Sequence, residues 1–286
     1  MRINTNMNAL IAQRNMAGIN NNLSKSLERL SSGVRISNAK DDAAGLAIAE
    51  GMTARIRGMN VAEKNIQDGM SFFNAREGAL EQLTTLAQRM RELAVTGSND
   101  FNSQTVLDNL GSEFNTLKAE FNRTIATSNF NGIKTLSVDT VLTTELVTVR
   151  IGPGVAVAPA AVDPDVDEVL QFTRATSTAL EGSITDMADP ATVALFEAAL
   201  SELDIVLEDV ITERAANGTF INRLELALAN LQVNRENLQS AQSRIRDTDM
   251  AAETINLTRQ QIILQTSTAM LAQANAQPQS ILALFQ

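Results

Sequence analysis

The chain has 286 residues, with 23 Lys or Arg against 33 Asp or Glu, a formal net charge of −10, and no His, Cys, Trp or Tyr. Those absences exclude a Ser-His-Asp triad, thiol nucleophiles, disulfides, Fe–S clusters and structural zinc, because each needs an imidazole or a thiolate. No catalytic, cofactor-binding or metal-binding residue is expected, and an apolar share of 44% with aromatics at 3%, all of them Phe, points to long helices with seams of Leu, Ile, Met and Ala.

At the N-terminal end, Ala9, Met16, Leu23 and Leu30 recur at seven-residue spacing and predict a helix with one apolar stripe. Gly18 falls inside it and costs up to about 1 kcal/mol of helix propensity. Asp41 and Asp42 then offer N-cap acceptors. From Asp42 to about Thr96 the series Met52, Met59, Ile66, Phe73 and Leu80 predicts one very long helix, with Ile56, Met70, Leu83, Leu86, Met90 and Leu93 in the neighbouring seam. At 1.5 Å per residue it would be a rod on the order of 80 Å long. Gly97-Ser98-Asn99-Asp100 stops it. Leu107, Leu110, Phe114, Leu117 and Phe121 give a further helix that continues to Ile125 and ends at the turn Asn129-Phe130-Asn131-Gly132.

After Ser137 the pattern changes: Val138, Val141, Leu142, Leu146, Val147, Val149 and Ile151 lie among threonines, and Gly152-Pro153-Gly154 closes the run. Residues 138–189 are therefore expected to form a small domain of short strands and loops. Asp163, Asp165 and Asp167 imitate the opening of an EF-hand loop, but Glu168 stands where the sharp turn needs Gly and Arg174 where the bidentate Glu belongs, so calcium is not expected. Helix resumes after Pro190 through Leu195, Ala199, Leu203, Val206 and Val210, with a break or frayed turn predicted near Asn217-Gly218. It continues through Leu224, Leu231, Leu238 and Ile245, and a last segment carries Met250, Leu257, Leu264 and Leu271. The carboxylate pairs Asp41/Asp42 and Asp247/Asp249 sit at helix ends, where capping accounts for them.

Charge divides the chain in the same way. Residues 138–213 hold 15 acidic and 2 basic groups, whereas 1–60 hold 8 basic and 4 acidic and 214–286 hold 6 and 5. Nearly balanced ends can pack against copies of themselves, while a block of like charge prefers water. No Lys/Arg stripe with interleaved aromatics occurs, so nucleic acid is not a predicted partner. No apolar run approaches the roughly 18 residues of a membrane span, and Met1 to Asn6 lack the apolar core of a secretory signal, so neither membrane insertion nor a cleaved signal peptide is expected. Two terminal stripes that cannot be buried by isolated helices are predicted to pair with each other, antiparallel, and with neighbouring molecules. Met16, Leu23, Leu30, Leu257, Leu264 and Leu271 are the predicted self-assembly seams.

The terminal runs resemble those of bacterial flagellins. At one end stand Ile3-Asn4-Thr5-Asn6, Ala12-Gln13-Arg14-Asn15, Arg29-Leu30-Ser31-Ser32-Gly33-Val34-Arg35-Ile36 and Asp41-Asp42-Ala43-Ala44-Gly45-Leu46-Ala47-Ile48. At the other stand Ser243-Arg244-Ile245-Arg246-Asp247-Thr248-Asp249, Leu271-Ala272-Gln273-Ala274-Asn275 and Pro278-Gln279. The likeness covers about residues 1–137 and 190–286 and leaves 138–189 as the family's variable part.

That resemblance implies a mainly α protein in three parts. Terminal helices 1–43 and 244–286 would form an antiparallel coiled-coil core at the inner tube of a filament, 44–137 with 190–243 a rod-like bundle of long helices, and 138–189 a short β-containing outer segment. It implies a non-enzymatic subunit that polymerises with itself into the extracellular flagellar filament. The flagellar cap, hook-associated proteins, an export chaperone and the flagellar secretion apparatus would be its partners. A hook–filament junction protein sharing the terminal helices is the alternative. It also implies recognition by Toll-like receptor 5 through Arg89 and Leu93 in the Gln88–Val95 segment and Glu113 on the next helix, although Leu93 also occupies the heptad seam.

Overall fold

The computed structural model describes residues 6–136, 146–150, 169–173, 184, 186–188 and 191–283, with backbone alone for 146–148, 169–173 and 278–283. The described elements are helices α1 (Met7–Ser32), α2 (Ala43–Gly97) and α3 (Gln104–Thr127), strands β1 (Asn129–Phe130), β2 (Ile133–Lys134), β3 (Leu146–Arg150) and β4 (Val169–Thr173), and helices α4 (Val193–Arg246) and α5 (Met250–Ala283). The chain divides into two compact units, Met1–Ile56 with Glu236–Gln286, and Arg57–Arg235. Helices α2 and α4 each contribute to both.

In the first unit, Asn6 starts α1: its side-chain oxygen accepts from the Ala9 N–H at 3.2 Å and its Nδ2 donates to the Ala274 carbonyl of α5 at 2.8 Å. Gly33 ends the helix in the left-handed region, φ 72°, donating its N–H to the Arg29 carbonyl. Only a residue without Cβ holds that conformation at no steric cost. The Gly33 carbonyl then accepts from the Thr248 N–H at 2.9 Å, and the Arg35 N–H donates to the Arg246 carbonyl at 2.6 Å. Of the two aspartates predicted as caps, Asp42 alone caps α2, accepting from the Gly45 N–H at 2.9 Å. Asp41 instead pairs with Lys25 at 2.7 Å, which fixes the connection between α1 and α2 to the side of α1. At Gly45 a Cβ would stand 2.4 Å from Asp42 Oδ2 and 3.0 Å from Ile36, so glycine lets the capping carboxylate and Ile36 close over the helix start. Gly18 lies on the exposed side of α1 with open space around it.

The second unit packs α2, α3 and α4 along a core that includes Leu80, Leu83, Met90, Phe114, Phe121, Phe196, Leu203 and Val210. A further cluster gathers Ile66, Phe73, Leu224 and Leu231 with Val149 of β3, which lies against α2 where Gly69 removes the side chain that would block it. Strands β1 and β2 form a hairpin pairing Asn129 with Lys134 and Phe130 with Ile133. Asn131 (φ 50°) and Gly132 (φ 81°) between them have the positive φ pair of a type I′ turn. Strands β3 and β4 pair antiparallel, Leu146 opposite Thr173 through Arg150 opposite Val169. They are the described strands of the segment expected to be β-prone.

One sequence expectation fails. Helix α4 runs unbroken through Asn217-Gly218. Asn217 is fully buried, and its Nδ2 donates to the Phe73 carbonyl at 3.1 Å and to Glu77 Oε2 at 3.0 Å. Arg76 pairs with Glu213, and Arg214 with Glu77 at 2.8 Å, so a polar layer crosses between α2 and α4 where the two apolar clusters meet. The two hydrogen bonds from Asn217 Nδ2 tie this turn of α4 to α2 and outweigh the weak helix propensity of Asn and Gly, although Asn217 Oδ1 has no partner among the described residues.

Candidate assembly interface

Helices α1 and α5 lie antiparallel, because Asn6 meets Ala274, Arg29 approaches Glu253 at 3.7 Å, and Val34 bridges to Asp247. The half-buried positions of α1 step through Ala9, Ala12, Met16, Ile19, Leu23 and Leu30, and those of α5 through Leu257, Leu264, Leu271 and Ala274. All six predicted seam residues, Met16, Leu23, Leu30, Leu257, Leu264 and Leu271, are half-buried in the single chain. The seam is not wholly apolar, since it also buries Ser26 and Glu253. Asp249 caps α5, accepting from the N–H groups of Ala251 and Ala252 at 2.9 and 3.0 Å.

Beyond this seam both helices carry a second apolar series that the chain leaves open. On α1 it includes Leu10 (52% exposed), Ile11 and Leu27; on α5 it includes Ile255, Ile262 (58%), Ile263 and Met270 (61%). Ile255, Thr258, Arg259, Ile262 and Ile263 line a shallow groove along α5 that is mostly apolar. Contiguous exposed apolar surface of this kind marks an interaction site. Ile255 and Ile262, and Ile263 and Met270, are each seven residues apart, a second heptad series in the sequence that runs beside the Leu257–Leu264–Leu271 stripe and is absent from the predicted seam.

Electrostatics tie the joint beside this interface. Lys25 donates to Asp41 and its positive charge holds the Asp41 carboxyl below the ordinary carboxylate range, with backbone N–H groups at Asn38 and Ser37 adding to the effect. Arg35 Nη2 donates to the Ile245 carbonyl at 2.7 Å, and Arg246 pairs with Glu50 at 3.1 Å.

The residues predicted for receptor contact lie in the second unit. Arg89, 52% exposed, is forked between Glu92 and Glu113, each at 3.0 Å, and those two carboxylates hold its guanidinium charged beyond its ordinary range. Arg89 and Glu113 are thus joined across α2 and α3. Leu93 is 4% exposed and lies in the core one turn behind Arg89. The aspartates read against a calcium loop, Asp163, Asp165 and Asp167, lie outside the described residues. Among the described residues no helix is long and apolar enough to cross a membrane.

Long helices that pair their ends and leave a parallel apolar series uncovered define a structural protein that associates with its own kind. The bacterial flagellin N-terminal helical region matches residues 3–140, and the bacterial flagellin C-terminal helical region matches 200–285. The chain is 44% identical over 287 residues to a flagellin of Halalkalibacterium halodurans, and 37% identical over 291 residues to a flagellar filament 33 kDa core protein of Treponema phagedenis, with 100% of both partners covered in each comparison. A Vibrio parahaemolyticus structure described as a flagellar hook-associated protein shares the fold alone, at 12% identity and TM-score 0.56, covering 72% of this chain and 100% of its own. The chain belongs to the bacterial flagellins, and it is a structural subunit that polymerises into the flagellar filament outside the cell. Nothing in these relationships favours the hook–filament junction alternative.

Proposed function

We propose that the open apolar series on α1 and α5 is the surface through which neighbouring copies of this flagellin assemble, with 1–43 and 244–286 forming the inner tube of the filament. The observation that carries this reading is the exposure of Leu10, Ile262 and Met270 beside a seam already closed within the chain. Repeating one such heterologous contact without ring closure gives an open helix, so a single interface geometry suffices for a filament. The seam residues Met16, Leu23, Leu30, Leu257, Leu264 and Leu271 would set the hairpin, and the second series would join hairpins. Residues 44–137 with 190–243 would form the surrounding bundle and 138–189 the outer segment, where the acidic excess favours solvent. Ile262→Asp with Met270→Asp is expected to abolish filaments in electron micrographs of seeded protein while the helical circular dichroism of the second unit persists. Filaments of ordinary abundance from that variant would refute the assignment.

The same reading makes the protein a polymer subunit without catalytic activity. It would leave the cell through the flagellar secretion apparatus with an export chaperone, not by the general secretory route, and would sit between hook-associated proteins and the flagellar cap. Arg89 and Glu113 would present the polar contact for Toll-like receptor 5, with Leu93 supporting that surface from the core. Leu93→Ala removes buried packing as well, at about 2–5 kcal/mol, so Arg89→Ala is the cleaner test. Unchanged receptor activation by Arg89→Ala together with Glu113→Ala would overturn it.

A further inference from the structure

The sequence Asn-Gly occurs twice, at Asn131-Gly132 and Asn217-Gly218, and the fold places the two pairs in opposite environments. Asn131 and Gly132 are both exposed at the tip of the β1–β2 hairpin. The ladder of the hairpin is made by the flanking residues Phe130 and Ile133, so among the described residues the Gly132 N–H and the Asn131 carboxamide have no hydrogen-bond partner. Asn217 is fully buried, its amide nitrogen held by the Phe73 carbonyl and Glu77, and Gly218 lies inside the continuous hydrogen-bonded ladder of α4.

From this contrast we infer that Asn131 is a site of spontaneous deamidation, a self-modification in which the polymer's own hairpin acts as the substrate. The Gly132 backbone nitrogen attacks Asn131 Cγ, and a C–N bond forms. The Cγ–Nδ2 bond breaks, and the amide nitrogen leaves as ammonia, carrying the proton lost from Gly132. The resulting five-membered imide adds water at either carbonyl and opens to aspartate or isoaspartate. Glycine is the residue that makes the step feasible, since it adds no side chain against the closing ring and permits the backbone excursion the ring requires. Asn217 has the same covalent neighbour but neither a free amide nor room to rotate.

Both products change the hairpin. Aspartate adds a carboxylate at the turn. Isoaspartate routes the main chain through Cβ, lengthening a two-residue loop that the type I′ geometry needs at fixed length. The pairings of Asn129 with Lys134 and Phe130 with Ile133 then lose register, starting beside the Phe130 ring that packs edge-on against Phe72 at 6.1 Å. A filament protein that stays outside the cell after assembly would accumulate this change with age, one hairpin at a time.

The test is to incubate the full-length chain at 37 °C and mildly alkaline pH and follow peptides spanning 124–134 and 215–223 by mass spectrometry, with protein isoaspartyl methyltransferase labelling as a second readout. We expect Asn131 to gain the mass of OH for NH2 and to become the methyl-accepting site, while Asn217 stays an amide. In the chain unfolded in urea both sites should convert at similar rates. Gly132→Ala should bring Asn131 down to the level of folded Asn217. Gly132→Ala strains the turn, so Asn131→Asp, which keeps Gly132, serves to separate turn loss from chemistry: its imide must form by loss of water instead of ammonia, so it should release no ammonia and gain methyl acceptance far more slowly than Asn131. Conversion of Asn131 in the folded chain no faster than that of Asn217 would overturn the inference, as would equal conversion of both.

Discussion

The Asn115 carboxamide grips the Met187 residue twice, donating from Nδ2 to its carbonyl at 3.1 Å and accepting from its N–H at 3.0 Å. Four residues on, Ala191 is held in the same way by a pair of side chains, its N–H donating to Asp108 Oδ1 at 3.2 Å and its carbonyl accepting from Gln104 at 2.8 Å. Gln104, Asp108 and Asn115 lie on one face of α3, and Gly111 between them lets Ala191 approach to 3.2 Å of the Cβ position. Helix α3 thus holds the backbone of this returning segment at Met187 and Ala191, while the Met187 and Ala191 side chains enter the core and Asp186 pairs with Lys118 at 2.6 Å. Asn115→Ala is expected to leave both Met187 groups unmatched, at about 1–3 kcal/mol, and to raise amide hydrogen exchange at 186–188 and at Ala191 ahead of the rest of the second unit. Unchanged exchange there would show that Asn115 does not hold the segment.

Arg76 and Glu213 meet inside the second unit with little of either side chain exposed, 3% and 17%. Glu213→Ala takes a buried carboxylate away from the Arg76 guanidinium and should lower stability by about 3–5 kcal/mol. Replacing both, Arg76→Met with Glu213→Leu, should cost much less or stabilise. Urea unfolding of the three proteins gives the comparison, and equal losses in the single and double variants would contradict it.

The Lys25–Asp41 pair makes the joint of the first unit sensitive to acid. Asp41 has a depressed pKa in the folded chain, so its contribution is fully present above the ordinary aspartate value of about 4 and is lost as pH falls through the lower folded value. Lys25→Met should therefore lower the thermal disassembly temperature of filaments at neutral pH, and the difference from the parent should shrink as the medium is acidified into the carboxylate range. A gap that stayed constant with pH would rule out this origin.

Gly97 closes α2 against the ring of Phe196: a Cβ there would lie 2.5 Å from Phe196 Cγ, and that ring is fully buried. Gly97→Ala is expected to destabilise the second unit by about 1–3 kcal/mol through overpacking. Adding Phe196→Leu should recover part of the loss, a coupling that a double-mutant cycle measures.

What could be read in the sequence follows from how each feature is encoded. The helices and the Met16–Leu30 and Leu257–Leu271 stripes were legible because a periodic stripe is a property of one segment. The continuity of α4 at Asn217 was not, because the partners that hold Asn217 are Phe73 and Glu77, 144 and 140 residues away. The clasp on Met187 leaves no periodic trace in 186–191, since it engages main-chain atoms only. The resemblance names Arg89 and Glu113 together as one contact set, but that they pair with each other depends on how α3 folds back on α2, which no stripe records.

The joint at Gly33 and Val34 against Asp247 and Thr248 has an evolutionary consequence. One residue inserted into α1 would rotate everything beyond it by about 100° around the helix axis and carry half the stripe off its partner. A matching insertion in α5 would restore alignment only if the joint stayed where it is. A residue gained or lost in either terminal helix therefore carries a cost that one gained or lost between the helices does not.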